Sequence, residues 1–483
     1  MAVVFGIWRL HATTASVAVT PQPSPTPARV ALLASRPPPA PPWSASQRGN
    51  LQSAVNGALA PALNGADAYS VAVLDETGRL LVGRGENRAV APASVQKLIV
   101  GSVALATLGP AFHFHTLLTG RDYPDANGVL DGDLYFVGSG DPSFRSDALD
   151  RGVAQLAREG IKHVNGVVVD TSAFRGPEIN PHWDADDATE DYAAPTSPVS
   201  LDGDTVEFHV IGTSPGSAAR VTFFPGSDVV STTGSVLTSS GGEDDVTIGG
   251  TQTPNAFRLS GAVPAGVEEK FWLPVYGIPR YVGAVLDRML TQYGIAHDAP
   301  PRVGAAPLDG AVFWDHRSPD LPWLIRHMLV LSDNHFAEQL LRTVGSAAAQ
   351  AGSDDPGGVA VERRVLQGAG IPTPGLHLVD GSGLSADNRI AAITLASTLA
   401  HYEPDLYLLL PQGGREGTLK HYDFTTALGR VRAKTGHLGN VASLAGYVNT
   451  MHHGRVMFAF LVDGSPGDPD AAYVRAIDLL ASM

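Results

Sequence analysis

Three short groups of side chains in this sequence have the types and spacing to do chemistry together. Ser94 stands three residues before Lys97, Ser332 two before Asn334, and Lys434-Thr435-Gly436 follows near the C-terminal end. A serine hydroxyl is a weak nucleophile until a base takes its proton. Lysine is such a base only when its pKa falls, and burial and a nearby cation both lower it. Side chains at i and i+3 share a helix face, so Ser94 and Lys97 can meet if they open a helix. Lys434 is the candidate second cation. The chain has only five lysines (Lys97, Lys162, Lys270, Lys420 and Lys434), and two of them fall inside these groups. The hydroxyl and amide of Ser332 and Asn334 suit proton relay to a leaving amine and hydrogen bonding to a peptide backbone. Lys434 and Thr435 on an edge strand suit a carboxylate, and Gly436 lets an extended chain approach the backbone closely. The N–H of His437 can pair with that of Ser94 to hold an oxyanion. The chemistry implied is acyl transfer through a serine.

Each group also has a plainer reading. Ser94 can be a helix cap and Lys97 a surface lysine. Ser332-Asp333-Asn334 can be a capping cluster, with Glu338 nearby. Lys434 to Gly436 can be a strand-entry turn. Against the first of these, Lys97 is followed by Leu98, Ile99 and Val100, in a helix apolar on most sides.

The elements that would position these residues can be read from periodicity. Leu51, Val55, Leu59 and Leu63 predict an amphipathic helix over 47–63. Residues 69–85 alternate as a hairpin about Glu76-Thr77-Gly78, and a buried helix runs from Ser94 to Gly109. Short β-like runs separated by turn residues fill roughly 120–272. Helical patterns return at Tyr281–Tyr293 and Pro319–Leu341. A second hairpin turns at Met451–Gly454, and a helix over Asp468–Met483 closes the chain. Hairpins at both ends of the chain would build one antiparallel sheet, with helices on both faces.

Bulk properties narrow the field. A chain of 483 residues with 44% apolar content can bury a large core and hold more than one domain. A net charge of −15 argues against nucleic acid as a partner. The absence of cysteine removes disulfides, thiolate metal sites and cysteine nucleophiles. The sixteen histidines show no ligand spacing, so no metal site is expected. Residues 1–19 read as the remnant of a signal or anchor segment. The nine prolines of residues 21–42 favour a stiff, extended spacer. Together these allow a membrane tether at the N-terminus.

The ordered set of Ser94-x-x-Lys97, Ser332-x-Asn334 and Lys434-Thr435-Gly436 resembles the penicillin-recognising serine enzymes, that is, penicillin-binding proteins and serine β-lactamases. Ser332 follows Ser94 by 238 positions. That gap resembles the D-alanyl-D-alanine carboxypeptidases/endopeptidases of the penicillin-binding protein 4 type (peptidase family S13), which carry a β-rich insertion after the serine helix. Further signatures agree: Gly138-Ser-Gly-Asp141-Pro142, Val169-Asp170-Thr-Ser-Ala-Phe174, Asp380-Gly-Ser-Gly-Leu-Ser385, Glu416-Gly-Thr418-Leu419 and Val441-Ala-Ser-Leu-Ala-Gly446-Tyr. The resemblance covers residues 47–483. It implies an α+β fold: a serine β-lactamase/DD-transpeptidase-like domain with an antiparallel sheet flanked by helices, interrupted by a β-rich domain. It implies that Ser94 forms an acyl-enzyme, that Lys97 activates it, and that Ser332 and Asn334 assist. Lys434 and Thr435 would bind a terminal carboxylate, and Asp170 and Phe174 would touch the diamino-acid side chain of a stem peptide. The expected partners are peptidoglycan stem peptides, with β-lactam antibiotics as covalent inhibitors. No cofactor is implied, and the location implied is extracytoplasmic. His437 departs from the Ser or Thr usual there, Ala386 stands where many relatives carry Arg, and Gly439 replaces a longer polar residue. These departures leave the preferred stem peptide open.

The expected division is therefore 1–46 as signal or anchor remnant and linker, 47–120 with 273–483 as the peptidase domain, and 121–272 as the insertion. Two other functions fit parts of the sequence. A β-lactamase uses the same motifs but has no place for the insertion. A non-catalytic penicillin-sensing or wall-anchoring module would suit the proline-rich start.

Overall fold

The computed structural model describes residues 42–242, 244–250, 253–465 and 467–483. The signal or anchor segment and nearly all of the proline-rich spacer lie outside the described residues. The described chain divides into two compact units. One comprises residues 113–319 with 349–354; the other holds the described residues up to Phe112, then Asp320–Ala348 and Asp355–Met483.

The second unit carries all three motifs. It begins two residues before its first helix, where Trp43 is buried and stacks on His453 at 4.1 Å between ring centroids. Helix α1 (Ala45–Leu63) starts at a capping box in which Ser44 Oγ accepts from Gln47 N and Gln47 Oε1 accepts from Ser44 N. Five antiparallel strands follow: β1 (Ala68–Leu74), β2 (Leu80–Arg84), β3 (Val431–Leu438), β4 (Val441–Asn449) and β5 (Arg455–Asp463), in the order β2-β1-β5-β4-β3. The sheet joins both ends of the chain, with Val71 opposite Phe460.

Alternation along the strands sorts the side chains onto two faces. Val71, Val73, Leu444, Phe458 and Phe460 share one core cluster with Leu51, Val55 and Leu59 of α1 and with Tyr473 and Ile477 of the C-terminal helix. The intervening residues face the other way. Ser70 Oγ accepts from Ala392 N, and Tyr447 donates to Leu399 O. Both partners belong to one helix, Ala392–His401. The longer helices of this unit that follow are α2 (Lys97–Leu108), α3 (Leu321–Leu331), α4 (Asn334–Ala349), α5 (Asp355–Gly368), α6 (Ala392–His401, just named) and α7 (Pro469–Ser482). Helix α2 packs against α3, α5 and α6, and every residue from Lys97 to Ala104 is buried. An all-round apolar sequence thus becomes the central helix of its unit.

The first unit is larger and more mixed than the expected β-rich insertion of 121–272. Its main sheet runs, in order, 302–303, 167–170, 134–137, 115–120 and 311–317. Helices Ser146–Arg158 and Ile278–Gln292 supply residues to the core cluster shared with this sheet. Three smaller sheets lie between residues 205 and 274. The expected boundaries at 121 and 272 move outward to 113 and 319 because strand 115–120 pairs with strand 311–317, from Gly120–Ala311 to His115–Arg317. Helix Ile278–Gln292, read as part of the peptidase domain, instead packs on strand 167–170, where Gly283 sits against Val169.

Candidate active site

Ser94 lies in a 3-10 turn, Ala93–Gln96, that leads directly into α2. The turn is entered through Ala93 at φ 49°, a left-handed conformation that costs an L-residue roughly 1–2 kcal/mol. The surroundings hold it there. A Cβ on Gly383 would collide with the carbonyl of Ala93, so only glycine lets that loop cross behind the serine. The i, i+3 expectation holds: Lys97 Nζ lies 2.9 Å from Ser94 Oγ.

Lys97 is fully buried and meets two further acceptors, Asn334 Oδ1 at 2.7 Å and Ser382 O at 2.7 Å. A neutral amine has two N–H donors and one lone pair. The three oxygens satisfy the three N–H donors of the ammonium, and on loss of a proton the Asn334 and Ser382 acceptors keep the two remaining N–H groups while the lone pair faces the Ser94 hydroxyl. Burial lowers the Lys97 pKa to about 8, and the carboxyls of Asp380, Glu338 and Asp333 act in the opposite direction.

Ser332 ends α3 in the left-handed region, φ 61°, and Asn334 opens α4. That kink splits the helical stretch expected over Pro319–Leu341. The capping reading holds for Asp333, whose Oδ1 accepts from Phe336 N at 3.1 Å. Ser332 does something else: Lys434 Nζ donates to its Oγ at 2.8 Å and to Thr435 O at 2.6 Å.

Lys434, Thr435 and Gly436 lie inside β3 rather than before a strand, and β3 is the edge strand of the sheet, paired with β4 and bridged at Arg432 to Gln412. A Cβ on Gly436 would stand 2.8 Å from Ser94 N and 3.0 Å from Pro92 O. The glycine was expected to admit a substrate strand. What it admits is the serine turn itself, so that the backbone just before His437 runs beside the backbone of Ser94. Ser443 on β4 fastens the same contact by donating to Pro92 O at 2.6 Å. Thr435 Oγ1 lies 2.6 Å from Thr418 Oγ1, in the Glu416–Leu419 signature. The exposed His437 side chain turns to Asp470, 3.1 Å away.

Lys434 was expected to lower Lys97 as a neighbouring cation. Burial, and then the charge of Lys97, hold Lys434 well below the ordinary lysine range, and repulsion between two cations acts on both.

Sequence reasoning missed the residues that support this cluster. Glu338, one helical turn beyond Asn334, accepts from Gly381 N and Ser382 N. Asp380 accepts from Gly383 N, Ser385 N and Asn388 Nδ2. The Asp380–Ser385 signature was visible in the sequence, but nothing in it gave these residues a role.

Asp170 and Phe174 belong to the other unit and take up structural contacts there. Asp170 is buried and accepts from Ser172 N at 2.8 Å and Ala306 N at 2.7 Å, one on each oxygen. Phe174 is buried against Gly140, where a Cβ would collide with its ring. Two signatures, Gly138–Pro142 and Val169–Phe174, thus fasten each other. These amide bonds build the loop that carries Asp170, one of the two residues expected to touch a diamino-acid side chain.

Comparison with known proteins agrees with this geometry. The chain is 30% identical over 440 residues to a D-alanyl-D-alanine carboxypeptidase of Actinomadura sp. (strain R39), covering 86% of this chain and 81% of that one. It is 29% identical to the D-alanyl-D-alanine carboxypeptidase DacB of Haemophilus influenzae, over 80% of this chain and 83% of the relative. The crystal structure of penicillin-binding protein 4 from Haemophilus influenzae superposes with a TM-score of 0.76 at 25% identity, over 89% of this chain and 99% of that one. The family model for D-Ala-D-Ala carboxypeptidase 3 (S13) matches residues 49–482, which include all three motifs and both units, and the chain therefore belongs to that family.

Proposed function

We propose that this protein is a serine DD-carboxypeptidase and DD-endopeptidase that cuts D-alanyl bonds in peptidoglycan stem peptides through an acyl-enzyme on Ser94. The observation that carries the reading is the set of contacts around Lys97, which fits a base with its lone pair on Ser94. The nucleophile Oγ attacks the carbonyl carbon of the penultimate D-alanine while Lys97 takes its proton. The oxyanion is held by the N–H groups of Ser94 and His437. Ser332, bridged to Lys434, passes its proton to the leaving nitrogen as the C–N bond breaks and takes back the proton that Lys97 received from Ser94, so that Lys97 is again a free base. Water then attacks the ester, gives its proton to Lys97, and Ser94 leaves as the alcohol. Lys434 and Thr435 receive the terminal carboxylate, and Asn334 holds the donor peptide while it orients Lys97.

A β-lactam acylates the same hydroxyl, but its ring-opened amine stays attached to the acyl group. The named relatives, a penicillin-binding protein among them, support this. The substrate polymer lies outside the cytoplasmic membrane, so the protein acts there, with the proline-rich stretch as spacer from an N-terminal tether. Release of D-alanine from a synthetic pentapeptide ending in D-Ala-D-Ala tests the proposal. Wild type is expected to release it and Ser94→Ala to release none; equal release by both would refute the assignment.

A further inference from the structure

The Lys97 amine is aimed by its two acceptors, and one of these, Ser382 O, is a backbone carbonyl in a loop. Something must hold that loop. Glu338 does so: it is buried, and its carboxyl accepts from Gly381 N at 3.0 Å and Ser382 N at 2.7 Å. It stands four residues after Asn334 on α4, so one helix supplies both acceptors of Lys97, one directly and one through the loop.

We infer that Glu338 is a positioning residue for the catalytic base, and that its charge, as well as its shape, sets how Lys97 holds its proton. This rests on the proposed role of Ser94 and Lys97.

The surroundings make Glu338 electrostatically sensitive. Asp380 faces it from the same loop and Asp355 from the start of α5, where Asp355 is paired with Arg342 of α4. Glu362 of α5 is fully buried, and neither of its oxygens has a hydrogen-bond partner. Burial, with the charges of Glu338 and Asp380, keeps the Glu362 carboxyl well above its usual range. Around Lys97 the charged groups are Asp380, Glu338 and Asp333, with Lys434 as the neighbouring amine. Burial pushes Glu338 up to about 8, the window in which Lys97 itself titrates. As the pH rises, ionisation of Glu338 therefore holds a proton on Lys97. Removing that charge lets Lys97 lose its proton at lower pH.

The experiment compares wild type, Glu338→Gln, Glu338→Asp and Ser94→Ala by the pH dependence of acylation by a chromogenic β-lactam. Glu338→Gln keeps the shape but turns an amide N–H toward one of the two loop amides. Its plateau rate is expected to fall about tenfold to a hundredfold, and its acid limb to move to lower pH. Glu338→Asp retains a negative charge, so its acid limb should stay near that of wild type while its rate falls. A Glu338→Gln acid limb that coincides with that of wild type would overturn the inference, whatever the loss of rate. Ser94 acylation in wild type, absent in Ser94→Ala, separates this result from failure of the underlying reading.

Discussion

A lysine amine enclosed by protein can act as a base near neutrality only because burial opposes its charge. For Lys97 the midpoint is about 8, so about a tenth of the free protein carries the neutral form at about pH 7. The sign follows directly: acylation needs the neutral amine, so kcat/KM rises as pH increases and levels off above about 8. A pH profile from about 6 to about 10 with an ester or β-lactam substrate checks this, because kcat/KM reports groups of the free protein. A flat profile would contradict it. Lys434 adds a second expectation. Burial and the charge of Lys97 hold the pKa of Lys434 well below the usual lysine range, and a peptide carboxylate arriving beside it raises that pKa. Binding of a peptide with a free C-terminus should therefore take up a proton, while the C-terminal amide should not. Titration calorimetry of Ser94→Ala in buffers of different ionisation enthalpy measures the difference. The arriving charge on Lys434 then acts on Lys97, so the acid limb of kcat should lie below that of kcat/KM. At this scale the sequence was a good guide. Residue type and spacing singled out Ser94, Lys97, Ser332, Asn334 and Lys434, and the structure brings Ser94, Lys97 and Asn334 into one set of contacts and Ser332 and Lys434 into another. Glu338 stayed hidden because its work is to hold a carbonyl, and many residues can do that.

Elements decide whether those side chains meet. The serine turn and the edge strand β3 are joined through Gly436, where a Cβ would press on Ser94 N and Pro92 O. Both of those atoms are backbone, so the strand must yield. Gly436→Ala is expected to cost ~1–3 kcal/mol of stability by overpacking and to lower the acylation rate far more than that loss alone would. Melting temperature and acylation rate, measured on the same preparation, check this. A variant that acylates at the wild-type rate would show that β3 does not help form the oxyanion site. The sheet itself was legible: hairpin alternation at both ends of the chain gave the strands and their two faces. The helical period ran on through the break between α3 and α4, but the capping cluster Ser332-Asp333-Asn334 marked the start of α4 in the sequence.

The whole molecule shows where reading a sequence fails. The extent of the inserted unit was set too narrow because its outer strands pair across nearly its full length, and local patterns carry no trace of a partner so distant. Helix Ile278–Gln292 was assigned to the other unit for the same reason. The long gap between Ser94 and Ser332 still announced that an insertion exists, and the family match spans both units. One fold, built from both ends of the chain, thus brings two lysines and two serines together beneath an edge strand. The most direct test is the mass of the intact protein after incubation with a penicillin, for wild type and for Ser94→Ala. The account expects wild type to gain the mass of one drug molecule in a persistent adduct and Ser94→Ala to gain nothing. An adduct that survives in Ser94→Ala, or wild type that consumes the drug and retains none of it, would contradict it.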